Sequence, residues 1–192
     1  ITIPDVVVAP SAYLKEVFTA SGTDREIRVI PSGHDLSWRV SANQRMPRGT
    51  INFGFIGQIT PIKGLHVLID AFKTNNFMEN VKLIIYGSYD HDPIYQERIQ
   101  KSINGHTESI SLQGSFSHEQ LDEVLSEIDV LIVPSLWHEN NPRVIQEAFA
   151  AQTPVVASNV GGMSEFVEHE VNGLLFERNN EIDLAKQLSR II

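Results

Sequence analysis

The 192-residue chain has no cysteine, which removes thiolate nucleophiles and cysteine-ligated zinc from its chemistry and fits a reducing compartment. It also lacks any run of about 18 apolar residues, the length a helix needs to cross a bilayer. Basic residues are scarce: Lys and Arg number 15 against 24 Asp and Glu, a net charge of −9. A general nucleic-acid surface is therefore not expected, although a few local cations suffice for a small phosphorylated ligand. The first residues lack the basic, apolar and small-residue succession of a secretory leader. The chain opens on strand-like ITIPDVVVA and closes inside helical EIDLAKQLSRII, so it reads as an excised piece of a longer protein.

What is present suits one compact domain with a piece of a neighbour attached. Hydrophobic residues make up 42% and charged residues 20%, enough for a core without staples. Short β-branched runs recur: DVVVA, IRVI, INFGFIG, VKLIIYG, SISLQG, DVLIVPS, PVVAS and GLLFE. Between them lie helical periodicities, such as Leu65, Leu68, Ile69 and Phe72, then Leu121, Val124, Leu125 and Ile128. Val144, Ile145, Ala148 and Phe149 form another. Ser117 with Gln120 makes a capping box for the second of these helices. Strand alternating with helix predicts an α/β fold, a Rossmann-like, doubly wound parallel sheet covered on both faces. It is assigned to residues 49–192; residues 1–36 read as the tail of a preceding domain and 37–48 as a Pro-, Gly- and Ser-containing linker.

Ligands of open parallel sheets bind beyond the carboxyl ends of strands, at helix N-termini. Three such loops stand out. GFIGQITPIKG places Gly57, Gln58 and Lys63 where backbone N–H groups and an ammonium can meet an anion, or where an ordinary turn carries a solvated lysine. It is no P-loop, since the G-x-x-x-x-G-K-[ST] order is missing. IIYGSYDHDP sets Gly87 after a buried strand; His91 there reads as a surface residue, not a metal ligand. WHENNPRVIQEAFAAQ puts Glu139 on a loop, Asn141 at an expected N-cap with Pro142 at the first helical position, and Glu147 in the second turn.

Spacing does not single out this pair. Glu119 and Glu127 are also eight residues apart, in a helix expected to be plain amphipathic surface. Charge narrows the ligand instead. A carboxylate at roughly 4 Å from a phosphate oxygen costs roughly 4 kcal/mol at an effective dielectric near 20. The same carboxylate gains about 1.5–3 kcal/mol from each hydroxyl donor. A functional pair would therefore hold sugar hydroxyls while Lys63 and amides hold phosphate, which describes a nucleotide-sugar. Otherwise Glu139 is a loop charge favoured by the helix dipole, an effect of about 0.3–1 kcal/mol.

From PDVVVAPS and IRVIPSGHD through GQITPIKG and LIIYGS to DVLIVPSLWHENNPRVIQEAFAAQTPVVASNVGGMSEFVEHEVNGLLF, the chain resembles retaining GT-B-fold glycosyltransferases. It is similar in particular to the bacterial group that builds polysaccharides, lipid-linked sugars and related glycoconjugates. The resemblance implies two Rossmann-like domains facing across a cleft, of which this chain is the donor-binding C-terminal one, truncated at its end. It implies that Lys63 meets the donor diphosphate, Glu139 the hydroxyls of the transferred sugar, and Glu147 the ribose diol. Asn140, Asn141 and Pro142 would face sugar and phosphate, Ser115 and Phe116 the base edge, and Gly87 would give the nucleotide close approach. Glu139 and Lys63 are the implied catalytic groups, with Lys63 and helix amides stabilising the departing diphosphate.

Two positions depart from the family pattern: Ser32 stands where Asn is usual, and Gln58 where many relatives carry an Arg, which either weakens donor binding or leaves the charge to another residue such as Arg143. The D-x-D pattern Asp90, His91, Asp92 lies outside the context of metal-dependent transferases, so the implied donor is an NDP-sugar with no metal and no other cofactor. Gly161–Gly162 would permit close approach to the donor, Asn172–Gly173 a tight turn, and Glu165 a structural or peripheral role. The acceptor, a glycan or lipid-linked sugar, would sit on the missing N-terminal domain. The implied place is the cytoplasm, with contact at the inner membrane face left open. The alternatives are a GT-B-type nucleotide-sugar epimerase or hydrolase, and a degenerate donor domain kept as a binding module.

Overall fold

A computed structural model describes residues 4–33, 49–75, 77, 80–89 and 92–192. The linker expected at 37–48, and Asp90 and His91, lie outside the described residues. The chain begins with a small unit in which β1 (Val7–Ala9) and β2 (Ile27–Val29) pair in parallel, joined by α1 (Ala12–Ala20). The rest is built on a second, six-stranded parallel sheet.

The strands of that sheet are β3 (Ile51–Ile56), β4 (Val81–Tyr86), β5 (Ile110–Gly114), β6 (Val130–Val133), β7 (Val155–Ser158) and β8 (Gly173–Phe176), in spatial order β5-β4-β3-β6-β7-β8. Their near-continuous apolar runs follow from burial on both faces. Alternate residues point to opposite sides, so Phe53 and Ile132 enter one core, while Leu131 and Val133 enter the other.

Helices α2 (Leu65–Thr74), α3 (Pro93–Ile103) and α7 (Glu181–Ser189) cover the first face. The opposite face carries α4 (Leu121–Glu127), α5 (Arg143–Ala150) and α6 (Met163–Phe166). The expected periodicities supply these contacts: Leu65, Leu68, Ile69 and Phe72 of α2 are buried, as are Leu121, Val124 and Leu125 of α4. Removing each such side chain from water contributes about 1.5–3 kcal/mol. The capping box of Ser117 and Gln120 is formed, but it opens a 3-10 turn, His118–Gln120, that leads into α4.

This order has one consequence for function. The chain runs outward from β3 through β4 to β5, then returns and restarts at β6 on the other side of β3. The helices that follow β3 and β6 therefore lie on opposite faces, leaving a crevice at the topological switch point.

Candidate functional site

A cleft of about 600 Å³ occupies that crevice. From the β3 side it is lined by Gly57, Gln58 and Lys63, and from the β6 side by Glu139, Asn141, Pro142, Arg143 and Glu147. Eight of the expected site residues thus share one cavity, whose size suits a small organic ligand.

The two loops are bonded into one wall. The N–H groups of Leu136 and Trp137 donate to the Ile62 carbonyl at 2.8 and 3.2 Å. Between Lys63 and α2, Gly64 adopts φ 70°, and a Cβ there would lie 2.0 Å from the Pro134 carbonyl oxygen. Only glycine combines that left-handed backbone with so close an approach. Lys63 itself ends a 3-10 turn, Pro61–Lys63, ahead of the helix.

The weld brings Lys63 to Glu139: Nζ lies 2.5 Å from Oε1, with the side chains 31% and 19% exposed. Ser135 Oγ donates to the same oxygen at 3.2 Å. Among the described residues, Glu139 Oε2 has no protein donor. The sequence expectation assigned these two residues to different parts of a ligand and gave no sign that they pair with each other.

Glu147 is one of the few charged side chains in the interior, 9% exposed. Its nearest cation is the Arg143 guanidinium, 3.7 Å away on a side chain that is 68% exposed. Buried carboxylates are normally hydrogen-bonded, and this one opens onto the cleft instead. Asn141 Nδ2, a second buried polar atom of a lining residue, also lacks a hydrogen-bond partner.

The helix start differs from expectation. Pro142, with ψ 99°, is the N-cap itself, and no side chain caps α5. The Asn141 amide oxygen instead accepts from the Gln146 side chain. Proline brings no N–H, so the donors available at this end belong to Arg143 and Val144, ahead of the first helical bond from Ile145 N to Pro142 O. These groups and Lys63 gather positive potential at one end of the cleft.

Four expected residues do not line the cavity. Gly87 is explained within the protein, because a Cβ there would lie 2.0 Å from the Gly57 carbonyl oxygen. Ser115 is exposed, and Phe116 packs edge-on against Tyr86 at 5.6 Å. Asn140 faces Gly162, where an added Cβ would sit 2.2 Å from the Asn140 carbonyl oxygen. The Gly161–Gly162 pair therefore gives close approach to the 138–140 backbone. Glu127 is exposed, as expected of its amphipathic helix, and Tyr86 Oη donates to its Oε2 at 2.6 Å. Burial, then that bond, pushes the Tyr86 hydroxyl well above its usual range.

Asp92 caps α3, accepting from Tyr95 N at 2.9 Å, which gives it a structural role. Among the described residues, no group of three or more His, Asp or Glu side chains is gathered as a metal site, and no helix is long and apolar enough to cross a membrane.

The family glycosyl transferases group 1 matches residues 38–192. The chain belongs to that family. It is 32% identical over 192 residues to the uncharacterised glycosyltransferase MJ1178 of Methanocaldococcus jannaschii, covering 100% of this chain and 50% of the relative. It is 27% identical to the lipopolysaccharide 1,2-N-acetylglucosaminetransferase of Salmonella typhimurium, covering 87% and 47%. The chain spans about half the length of the curated relatives it matches. Among solved structures, the Anabaena protein Alr3699/HepE in complex with UDP and glucose superposes with TM-score 0.86 at 25% identity, over 98% of this chain and 53% of that one. The sucrose-phosphate synthase of Thermosynechococcus elongatus gives TM-score 0.86 at 26% identity, over 98% and 49%. These neighbours make the fold that of one half of a GT-B glycosyltransferase.

Proposed function

We propose that this chain is the donor-binding half of a retaining glycosyltransferase, and that its cleft holds an NDP-sugar for transfer to a glycan or lipid-linked acceptor. The observation that carries the reading is the Glu147 carboxylate: buried, beside the cleft, and without a close protein donor. A ribose diol would supply two hydroxyl donors to it, whereas a phosphate would be repelled. The UDP bound by the Anabaena neighbour supports the same ligand class.

The remaining groups divide the donor between them. A diphosphate competes with Glu139 for the Lys63 ammonium, and the Arg143 and Val144 amides add fixed dipoles at the same end. As Lys63 turns to phosphate, Glu139 Oε1 keeps only its Ser135 donor and, with Oε2, accepts sugar hydroxyls. During transfer, the bond from the anomeric carbon to the diphosphate oxygen breaks and its electron pair goes to the diphosphate. Lys63 and the amides stabilise the charge that develops there. The acceptor hydroxyl then attacks the same face, and its proton passes to the departing diphosphate as the new bond forms. Fixed positive groups would make a divalent ion unnecessary for donor binding, and the reaction would take place in the cytoplasm. With the acceptor bound mainly by a preceding domain, the chain alone would show little transfer.

A thermal-shift screen of nucleoside diphosphates and NDP-sugars tests this, since a bound ligand raises stability with its concentration over its affinity. At least one ligand should raise the midpoint, and chelation by EDTA should leave that rise unchanged. A flat response to every nucleotide would reject the reading.

A further inference from the structure

A carboxylate of α6 helps to fasten the small N-terminal unit to the main sheet. Glu165, on α6, accepts from Ala12 N at 2.9 Å and Tyr13 N at 2.6 Å, residues more than 150 positions away in sequence. Ser11 Oγ accepts from Leu14 N at 3.1 Å and the Ser11 carbonyl from Lys15 N at 3.2 Å. The first four N–H groups of α1 are therefore satisfied, half of them by a residue outside its own unit. A carboxylate at that helix end also meets the positive end of the dipole.

A second contact meets the same helix. The Tyr13 ring stacks on His138, with centroids 5.6 Å apart and planes 10° from parallel. His138 immediately precedes Glu139. Gly162, three residues before Glu165, donates its N–H to the Glu139 carbonyl at 2.6 Å. Both routes from α1 thus converge on the backbone of Glu139, one through α6 and one through the stacked rings.

We propose that Glu165, Tyr13 and His138 are positioning residues, coupling the seating of α1 to the placement of the Glu139 carboxylate and hence to the grip on the transferred sugar. The proposal rests on the reading of the cleft as a donor site. Its logic is that Glu147, which faces the nucleotide end, is held by α5 and not by these contacts. Disturbing α1 therefore loosens the sugar end while leaving the nucleotide end in place. By reciprocity, a ligand that engages Glu139 holds α1 more firmly.

Two measurements on the same variants test it. Hydrogen exchange without nucleotide compares the protein with Glu165→Gln, which keeps the size but presents an NH2 group to the α1 amides. Exchange should quicken by about tenfold at Ala12 and Tyr13, and also at Glu139 and Gly162. Acceleration confined to residues 12 and 13, or none, overturns the coupling whatever the cleft binds. Calorimetry with UDP and UDP-glucose then reads the sugar-dependent part of the affinity. Glu165→Gln and Tyr13→Ala should lower the affinity for UDP-glucose relative to UDP by about fivefold or more, with UDP unchanged, while Tyr13→Phe keeps the ring and the ratio. An equal loss for both ligands makes these residues merely structural and overturns the proposal. If the unaltered protein binds no nucleotide at all, the reading of the cleft fails and the exchange result alone decides the coupling.

Discussion

Two pairs of glutamates in this chain share the same spacing and little else. Glu119 and Glu127 lie before and at the end of α4; both are exposed, and Glu127 accepts from the Tyr86 hydroxyl. Glu139 and Glu147 bracket the start of α5 at the switch point of the sheet, one held by Lys63 and Ser135, the other buried and facing a cavity. The difference comes from the strand each pair is attached to. The helix of the first pair follows β5, an edge strand, whose loop faces solvent; the second follows β6, whose loop is welded to the loop after β3.

The weld is the feature that most separates the two regions, so breaking it should have the largest effect. Gly64→Ala introduces a Cβ against the Pro134 carbonyl at a left-handed φ, and we expect a loss of at least about 2 kcal/mol of stability. Denaturant unfolding checks this. Gly22→Ala, at φ 91° with no atom nearby, meets only the backbone strain and should cost less.

Next come the glutamates themselves. Losing the hydroxyl bonds made by Glu147 or Glu139 should cost about 1.5–3 kcal/mol, or roughly 10- to 100-fold in affinity for the NDP-sugar. Glu119→Ala should leave affinity unchanged. Equal loss from both pairs would erase the comparison. Tyr86→Phe probes Glu127 and should cost about 0.5–1.5 kcal/mol of stability with no change in binding.

The smallest effect concerns pH. His66, at the second position of α2, has its pKa lowered by burial and then by Arg98, partly opposed by Asp70. Its ring and N–H contact the Tyr95 hydroxyl at 2.7 and 3.1 Å. A lowered folded pKa means the unfolded chain takes up this proton first, so stability falls as pH drops below about 6.5. Melting midpoints scanned downward from neutrality should show that slope, and His66→Gln should flatten it.

Much of the fold was legible because burial on two faces writes itself into β-branched runs, as in KLIIY and VLIV, and because α2 and α5 carry clear 3.6-residue patterns. α3 escaped notice: its buried residues Tyr95, Ile99 and Ile103 form a stripe one residue wide amid charges. α6 is a single turn, too short for any periodicity. At the cleft, residue types and strand ends marked Lys63, Glu139 and Glu147. The Lys63–Glu139 pair did not show, since nothing local relates residues that a crossover brings together. For the same reason the backbone packing of Gly87 on Gly57 and of Gly161–Gly162 on residues 138–140 did not show, and Glu165 gave no sign of its partners at Ala12 and Tyr13.

Where a donor binds decides between these readings of the cleft. A crystal structure of the chain soaked with the nucleoside diphosphate that stabilises it best should show the ribose hydroxyls on Glu147 and the diphosphate at Lys63, with the Lys63–Glu139 pair opened. Nucleotide found outside the crevice between β3 and β6, or phosphate seated on Glu147, would contradict it.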